Sequence, residues 1–494
     1  MNPLRRLAGQ TAIYGLGNII GRLINFLLVP LYTRVFVPGE YGIVTEMYVY
    51  VAFLLIVLTY GMETALFRFT QDDPRKKDTI YSTSVFSVAV TSVLFILLVI
   101  LMRNSIAETL RYPDNVEYVV LLGTIVGLDA LLAIPYARLR VENQAFRFAW
   151  IRFAGIGVNI GLVLFFLLLC PWAIDSGPQW LGSFVDRVYD PGIGVGYVFI
   201  SNLAATLFTL FLLLPVLRSV RWVFDFGVWK KMMVYSLPLL VAGLAGWVNE
   251  ALDKLLLKFL LPESIAMAQV GIYGAVYKLA VLMTIAVQGF RYAAEPFFFA
   301  EAKGANAREL FAKIMNYFVT ACLLIFLGIM LFMPVVKHFV GSNYHEGLGV
   351  VPVLLMAKLF LGVYWNLSIW YKLTDKTHYG AWFAVAGAII TVVLNVLLIP
   401  RYGYHGSAWA ALACYFSLAA LSYVFGRKHY PIPYELPKIL TLLITALAIF
   451  GISHFTMDLQ PLLMYPVHVL LIFLFVLAAV AMDPDLRVAS KLFR

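Results

Sequence analysis

Cysteine is scarce in this 494-residue chain, which has three, and charge is sparse too: Asp, Glu, Lys and Arg make up 13% of it, against about 25% in soluble domains. Cys170, Cys322 and Cys414 each lie in or beside an apolar segment and far apart in the chain. That excludes a disulfide framework or a zinc spacing by local pattern, and the three read as small buried hydrophobes. His338, His345, His378, His405, His429, His454 and His468 all fall in loops or at predicted helix ends, so a histidine proton relay across a membrane is not expected. The chain also lacks a metalloprotease helix motif, a phosphate-binding glycine loop and a nucleophile elbow; each would bring the groups its chemistry needs to a fixed spacing. No catalytic residue, metal ligand or cofactor is therefore expected.

What is abundant is apolar: 62% of residues are hydrophobic, compared with about 45–50% in soluble domains. They fall in runs near the ~20 residues that span a bilayer. The runs predict helices at about 10–33, 41–66, 79–102, 116–137, 149–171, 195–217, 232–260, 269–295, 313–336, 348–371, 380–399, 406–426, 438–455 and 466–482. The fold class expected is an all-α membrane protein with about 14 transmembrane helices. The basic opening MNPLRRLAGQ precedes a segment too long and too polar for a cleaved signal, so it reads as a retained first helix.

The formal charge of +10 does not point to nucleic acid, because the cations sit in alternate loops. With the N-terminus in the cytoplasm, about 24 Lys and Arg fall inside and about 7 outside, which sets the topology and returns the C-terminus to the cytoplasm.

The chain repeats itself. Asn25, Arg34 and Pro38 recur at the same spacing as Asn249, Lys258 and Pro262; Tyr41-Gly42-Ile43 is answered by Gly271-Ile272-Tyr273, Tyr48 by Tyr277, and Gly61 by Gly289 nearby. Such halves are a transporter design, with the substrate site between them. The domain organisation expected is a six-helix bundle over 1–217, a basic cytoplasmic linker over 218–231, a second six-helix bundle over 232–426, and an appendage over 427–494. The appendage is a Pro-rich loop, RKHYPIPYELPK, and two helices without counterparts in the repeat.

Charges inside apolar spans carry an insertion penalty of about 2.5–3.5 kcal/mol each, and are kept where they face water or a partner. Arg22 sits at the middle of the first predicted span. Tyr14, Asn18, Arg22 and Asn25 share one helix face, which suits an anionic, hydroxyl-rich ligand or an interhelical hydrogen-bond cluster. In the seventh span, Asn249 stacks on Asp253 and Glu250 on Lys254. Lys254 could assist a ligand while Glu250 or Asp253 couples to an ion; a closed intrahelical ion pair is the competing account. The eighth span carries Lys278, Gln288, Arg291 and Glu295. Lys278 is the deeper cation, while Arg291 and Glu295 approach the cytoplasmic end and can snorkel. Glu46, Glu63, Asp129, Lys358 and Asn366 are further intramembrane polar groups, read as structural pairs or interface residues. Gly15, Gly17, Gly21, Gly243 and Gly246 permit close helix approach, and Pro238 predicts a kink.

The opening stretch from Gly9 to Phe69, with Pro30-Leu31-Tyr32-Thr33-Arg34, Pro38 and Glu40-Tyr41-Gly42, and the later YGYHGSAWAALACYFS from Tyr402 to Ser417, resembles bacterial polysaccharide transporters. These are the O-antigen, capsule and exopolysaccharide flippases of the multidrug/oligosaccharidyl-lipid/polysaccharide exporter superfamily. The resemblance implies two pseudo-symmetric six-helix bundles around a central cavity, lined by the first, second, seventh and eighth helices. It also implies alternating access in a cell inner membrane and a polyprenyl-pyrophosphate-linked oligosaccharide as cargo. On that reading Asn18, Arg22, Asn25, Asn249, Lys254, Lys278 and Arg291 bind substrate, and Glu250 and Asp253 couple to protons or sodium. The partners are the lipid-linked glycan and membrane lipid, with no nucleic acid. The transporter acts as a monomer, and glycan-assembly enzymes are the associates to seek.

Three alternatives follow. A lipid II flippase also has fourteen helices, but a more cationic cavity. A multidrug and toxin extrusion antiporter has twelve helices, and a carboxylate where this chain has Arg22. A membrane polymerase or ligase of the same glycans needs outward-facing catalytic groups. The loop at about 34–40 is too short to hold an acidic pair, and Asp175, Asp186, Arg187 and Asp190 in the 172–194 loop are ordinary for a solvated segment.

Overall fold

The computed structural model describes residues 26–221, 223–302, 304, 306–456 and 460–482. Among the described residues there is no strand. Among the described residues, thirteen helical segments are long and apolar enough to cross a membrane, and the chain is a multi-pass membrane protein. The predicted span at 10–33 lies mostly outside the described residues; its end is α1, Val29–Val35. The others are α2 (Pro38–Asp72), α3 (Pro74–Leu101), α4 (Val116–Val141), α5 (Ala145–Asp175), α6 (Gly196–Arg218), α7 (Phe226–Leu260), α8 (Glu263–Glu301), α9 (Ala307–Leu331), α10 (Ser342–Leu373), α11 (His378–Tyr402), α12 (Tyr404–His429), α13 (Leu436–His454) and α14 (Pro461–Met482).

Several of these spans are interrupted for local reasons. α2 breaks at Tyr60 and Gly61, whose φ angles of 33° and 75° lie in the left-handed region that glycine enters without penalty. A side chain on Gly61 would also stand 3.2 Å from the Ser236 carbonyl oxygen of α7, so the position suits glycine twice over. α5 carries a π-helical turn at Phe165–Leu169. α7 runs helical from Phe226 to Leu260 through Pro238.

The chain forms two compact units, one reaching Leu255 and the other starting at Leu256. In the first, α4 packs on α2, α3 and α6, and α6 packs on α5. In the second, α10 packs on α8, α9 and α12, and α12 packs on α11. The neighbour pattern is the same with every helix advanced by six, which is the pseudo-symmetry the repeat predicted. α13 and α14 pack on α9 and have no equivalents. α4 and α10 are the central helices; 61% and 67% of their most apolar windows are buried, as expected of helices apolar on all sides.

The first unit is filled by a core that includes Met62, Val88, Val126, Ile134, Leu213 and Met232. Met232 belongs to α7, and Val49, Trp247 and Leu255 extend the contact between α2 and α7. By sequence pattern α7 opens the second repeat; by packing, most of its length completes the first unit.

The two central helices end alike. The backbone N–H of Gln144 donates to the Leu139 carbonyl at 2.8 Å, and that of Lys376 to the Tyr371 carbonyl at 2.8 Å. In each case the residue before the donor is left-handed, Asn143 at φ 57° and Asp375 at φ 55°. This six-to-one closure satisfies the last carbonyls of a helix, and it matches α4 to α10 residue for residue.

Candidate functional site

Asn18, Arg22 and Asn25, with Tyr14, lie outside the described residues. The other candidates form two groups, one on α7 and one on α8 with α10.

On α7, Lys254 pairs with its chain neighbour Asp253, Nζ to Oδ1 at 3.0 Å, with side chains 9% and 7% exposed. The Lys254 ammonium also donates to the Glu250 carbonyl oxygen at 3.3 Å, and its backbone N–H to Asp253 Oδ1 at 2.9 Å. Pattern alone stacks Lys254 on the Glu250 side chain one turn earlier; the ion pair is instead with Asp253, while Glu250 is exposed and Asn249 half-buried. A buried pair of this kind is stabilising mainly in the sense that removing one partner strands the other charge. One turn on, Lys258 is buried, with its ammonium 5.8 Å from the centre of the Phe259 ring.

In the second unit, Lys278 is half-buried on α8. Lys358 of α10 is 2% exposed; its ammonium lies 4.8 Å from the Tyr277 ring centre and 5.4 Å from that of Tyr415. Aromatic faces attract a desolvated cation by about 2 kcal/mol. Thirteen residues separate Lys278 from Arg291, about 20 Å along a helix, so these two candidates do not share one contact shell.

Arg291 lies over the Trp365 ring at 4.7 Å, with Nε 3.6 Å from Glu295 Oε2. The other oxygen of Glu295 accepts from Lys372 Nζ at 2.6 Å. These groups border a small crevice, with about 20 Å³ of room for water, whose lining includes Phe298 and Asn366. Asn366 is 3% exposed, and neither its amide nitrogen nor its amide oxygen has a hydrogen-bond partner. An unsatisfied buried polar group costs about 1–3 kcal/mol. Lys372 and Trp365 were not among the expected site residues. The repeat marks Lys372: Glu63 of α2 and Arg140 of α4 pair at 2.8 Å across 77 residues, and Glu295 and Lys372 pair across 77 residues as well.

Polar groups buried in the first unit are held by hydroxyls. Glu46 is fully buried and accepts from the Tyr112 phenol. Burial, reinforced by the Glu46 carboxylate, keeps that phenol protonated well above its ordinary range. Asp129 accepts from Thr206 Oγ1 at 3.1 Å. Among the described residues no cluster of three His, Cys, Asp or Glu could hold a metal ion.

Residues 31–177 match the profile of a family described as polysaccharide biosynthesis protein. No curated protein matches the chain by sequence. Among solved structures, the lipid II flippase MurJ in an inward closed conformation superposes with a TM-score of 0.68 at 12% identity, covering 95% of this chain and 98% of that one. An inward-facing multidrug resistance MATE family transporter of the MOP superfamily gives 0.65 at 14% identity, covering 83% and 94%. A variant of a Vibrio cholerae MATE transporter gives 0.58 at 15%, covering 86% and 96%. The fold is thus one that these transporters share, and the polysaccharide-biosynthesis match is confined to residues 31–177. The α7 and α8 charges sit in helices long and apolar enough to cross a membrane, where every retained charge carries an insertion penalty. Lys254 and Arg291 each already face a carboxylate, Asp253 and Glu295 respectively.

Proposed function

We propose that the chain is a flippase that moves a polyprenyl-pyrophosphate-linked oligosaccharide, an O-antigen, capsule or exopolysaccharide repeat unit, across the inner membrane by alternating access. The observation that carries this reading is the polysaccharide-family match at residues 31–177, on a fold that transporters share. A pyrophosphate needs cations in a low-dielectric site, where charge pairing is far stronger than in water. Arg22 with Lys254 or Lys278 supplies them, and Asn18, Asn25 and Asn249 bond sugar hydroxyls. The prenyl tail stays in lipid, so only the head group crosses. Glu250 or Asp253 couples the cycle to protons or sodium. The bundles at 1–217 and 232–426 act as the rocking halves, both termini face the cytoplasm, and the transporter works as a monomer beside glycan-assembly enzymes.

Lipid II is the second cargo to weigh, because the match to its flippase takes in 95% of this chain, more than the 83% of the MATE match. Reconstitution in vesicles with each lipid-linked cargo decides between them. Flipping of the oligosaccharide carrier, lost in Arg22→Ala, supports the proposal; flipping of lipid II alone replaces it.

A further inference from the structure

α3 carries an apolar stripe that the rest of the first unit leaves uncovered. Phe86, Val90, Val93 and Leu97 are exposed along it, and their spacing puts them on one helix face. In a membrane span, acyl chains cover such a face. The connection between α6 and α7 is fastened to this helix. Arg221 donates its backbone N–H to Ser82 Oγ at 3.1 Å, and Asp225 donates its own to Thr83 Oγ1 at 3.2 Å. On the first turn of α7, Trp229 Nε1 donates to Ser87 Oγ at 2.9 Å. Ser82 and Thr83 follow Lys77, where the α-helix of this span begins, by about 8–9 Å along the axis. The connection is therefore drawn alongside the span instead of standing off in water. Held there, Phe224 sets its ring 5.2 Å from that of Phe86 and extends the uncovered stripe. Val223 and Phe226 are exposed with it, and so is Val234, two turns along the α7 face that carries Phe226 and Lys230.

Cations surround these apolar groups. Arg218, Arg221, Lys230 and Lys231 are exposed. Among the described residues, Arg221 alone of the four enters an ion pair, with Asp78 at 3.3 Å. The one acid within residues 218–231, Asp225, is engaged at the start of α7, where it accepts from the Val228 N–H at 3.0 Å. We propose that this connection is a docking strap for anionic phospholipid, with headgroup phosphates on the four cations and Val223, Phe224 and Phe226 at the acyl boundary. Aromatic rings and long cationic side chains are the groups that settle at this depth. Each Lys or Arg near an anionic membrane surface adds a preference of about fivefold for it. A soluble phosphate would use the cations and leave the three apolar side chains in water, so the lipid fits the whole surface and the free anion fits half of it. The strap is independent of what the transporter carries.

The test is thermal unfolding of the purified full-length protein in detergent, titrated with phosphatidylglycerol, phosphatidylcholine or inorganic phosphate. Phosphatidylglycerol should stabilise at lower concentration than phosphatidylcholine, and added salt should narrow the gap. Arg218→Gln/Lys230→Gln/Lys231→Gln should cut that preference by about fivefold per charge removed. Arg427→Gln/Lys428→Gln, which neutralises two exposed cations at the end of α12, should leave it unchanged. Should the triple variant fail to fold, Phe226→Cys labelled with bimane carries the decision, since the three native cysteines are buried. In vesicles, acyl-brominated phosphatidylglycerol should quench that label more than acyl-brominated phosphatidylcholine. Equal stabilisation by the two lipids, equal or absent quenching, or a preference that the triple variant keeps overturns the strap. A loss of the same size in the α12 variant overturns it as well, because net charge alone would then attract the lipid. Protection by inorganic phosphate that the triple variant abolishes replaces it with a site for a soluble anion.

Discussion

Glu46 in the first unit and Lys358 in the second are both shut away from solvent, yet they are held by different chemistry. The acid accepts from a phenol, a directional bond to a charged group. The base lies near two tyrosine faces, in an attraction that tolerates rotation of the ammonium. Asp129 repeats the first pattern with the Thr206 hydroxyl, and Arg291 over Trp365 repeats the second. Glu46 and Lys358 thus show two ways of holding a single buried charge, a hydroxyl donor for the acid and aromatic faces for the cation. The backbone repeat sets where helices meet, and the side chains decide what each unit can attract.

The largest effect is expected at the tight Lys254–Asp253 pair on α7. Lys254→Ala removes the ammonium from a buried carboxylate and should lower unfolding stability by about 3–5 kcal/mol, measured by denaturation in detergent. The double variant Asp253→Ala/Lys254→Ala should recover most of it while export stays lost. Recovery of export would take Lys254 out of cargo binding. Next comes Tyr112→Phe, which removes a donor from a buried carboxylate and should destabilise by about 1.5–3 kcal/mol; adding Glu46→Gln should soften the loss. A Tyr112→Phe protein as stable as wild type would break the contrast. Lys358→Met keeps length and apolar volume, so the expected change is below about 2 kcal/mol, and a larger loss would mean the ammonium is anchored by more than ring faces. Smallest is the interhelical pair at the end of α8. Its groups are partly exposed, so exchanging them, Glu295→Lys with Lys372→Glu, should shift stability by no more than about 1 kcal/mol.

Span positions were legible because apolar runs of bilayer length are rare outside membranes, and the six-helix repeat was legible from Asn, cation and Pro at matched spacing. The division of α7 between units was not. Amphipathic pattern records that Met232 and Trp247 are apolar, and says nothing of which neighbour buries them. The α7 charges stand out by their rarity in a span, but which carboxylate takes Lys254 is decided by side-chain reach. Asn366 was visible as a polar residue in an apolar run. Its vacancy was not, because that depends on which polar groups the neighbouring helices place within reach of the amide. Lys372 does not stand out in the sequence because a cation at a span end is ordinary; only its 77-residue separation from Glu295, the same as that of Arg140 from Glu63, sets it apart.

Because Met232 belongs to the core of the first unit, and Val228, Trp229, Tyr235 and Leu240 pack against that core, dissecting this polypeptide at its basic 218–231 stretch would leave the amino-terminal fragment missing a wall. Severing after Leu255 instead would cut a continuous helix in two. Neither place offers a clean seam, so split expression of the two halves should succeed only when both fragments are made together and α7 can dock as a free rod.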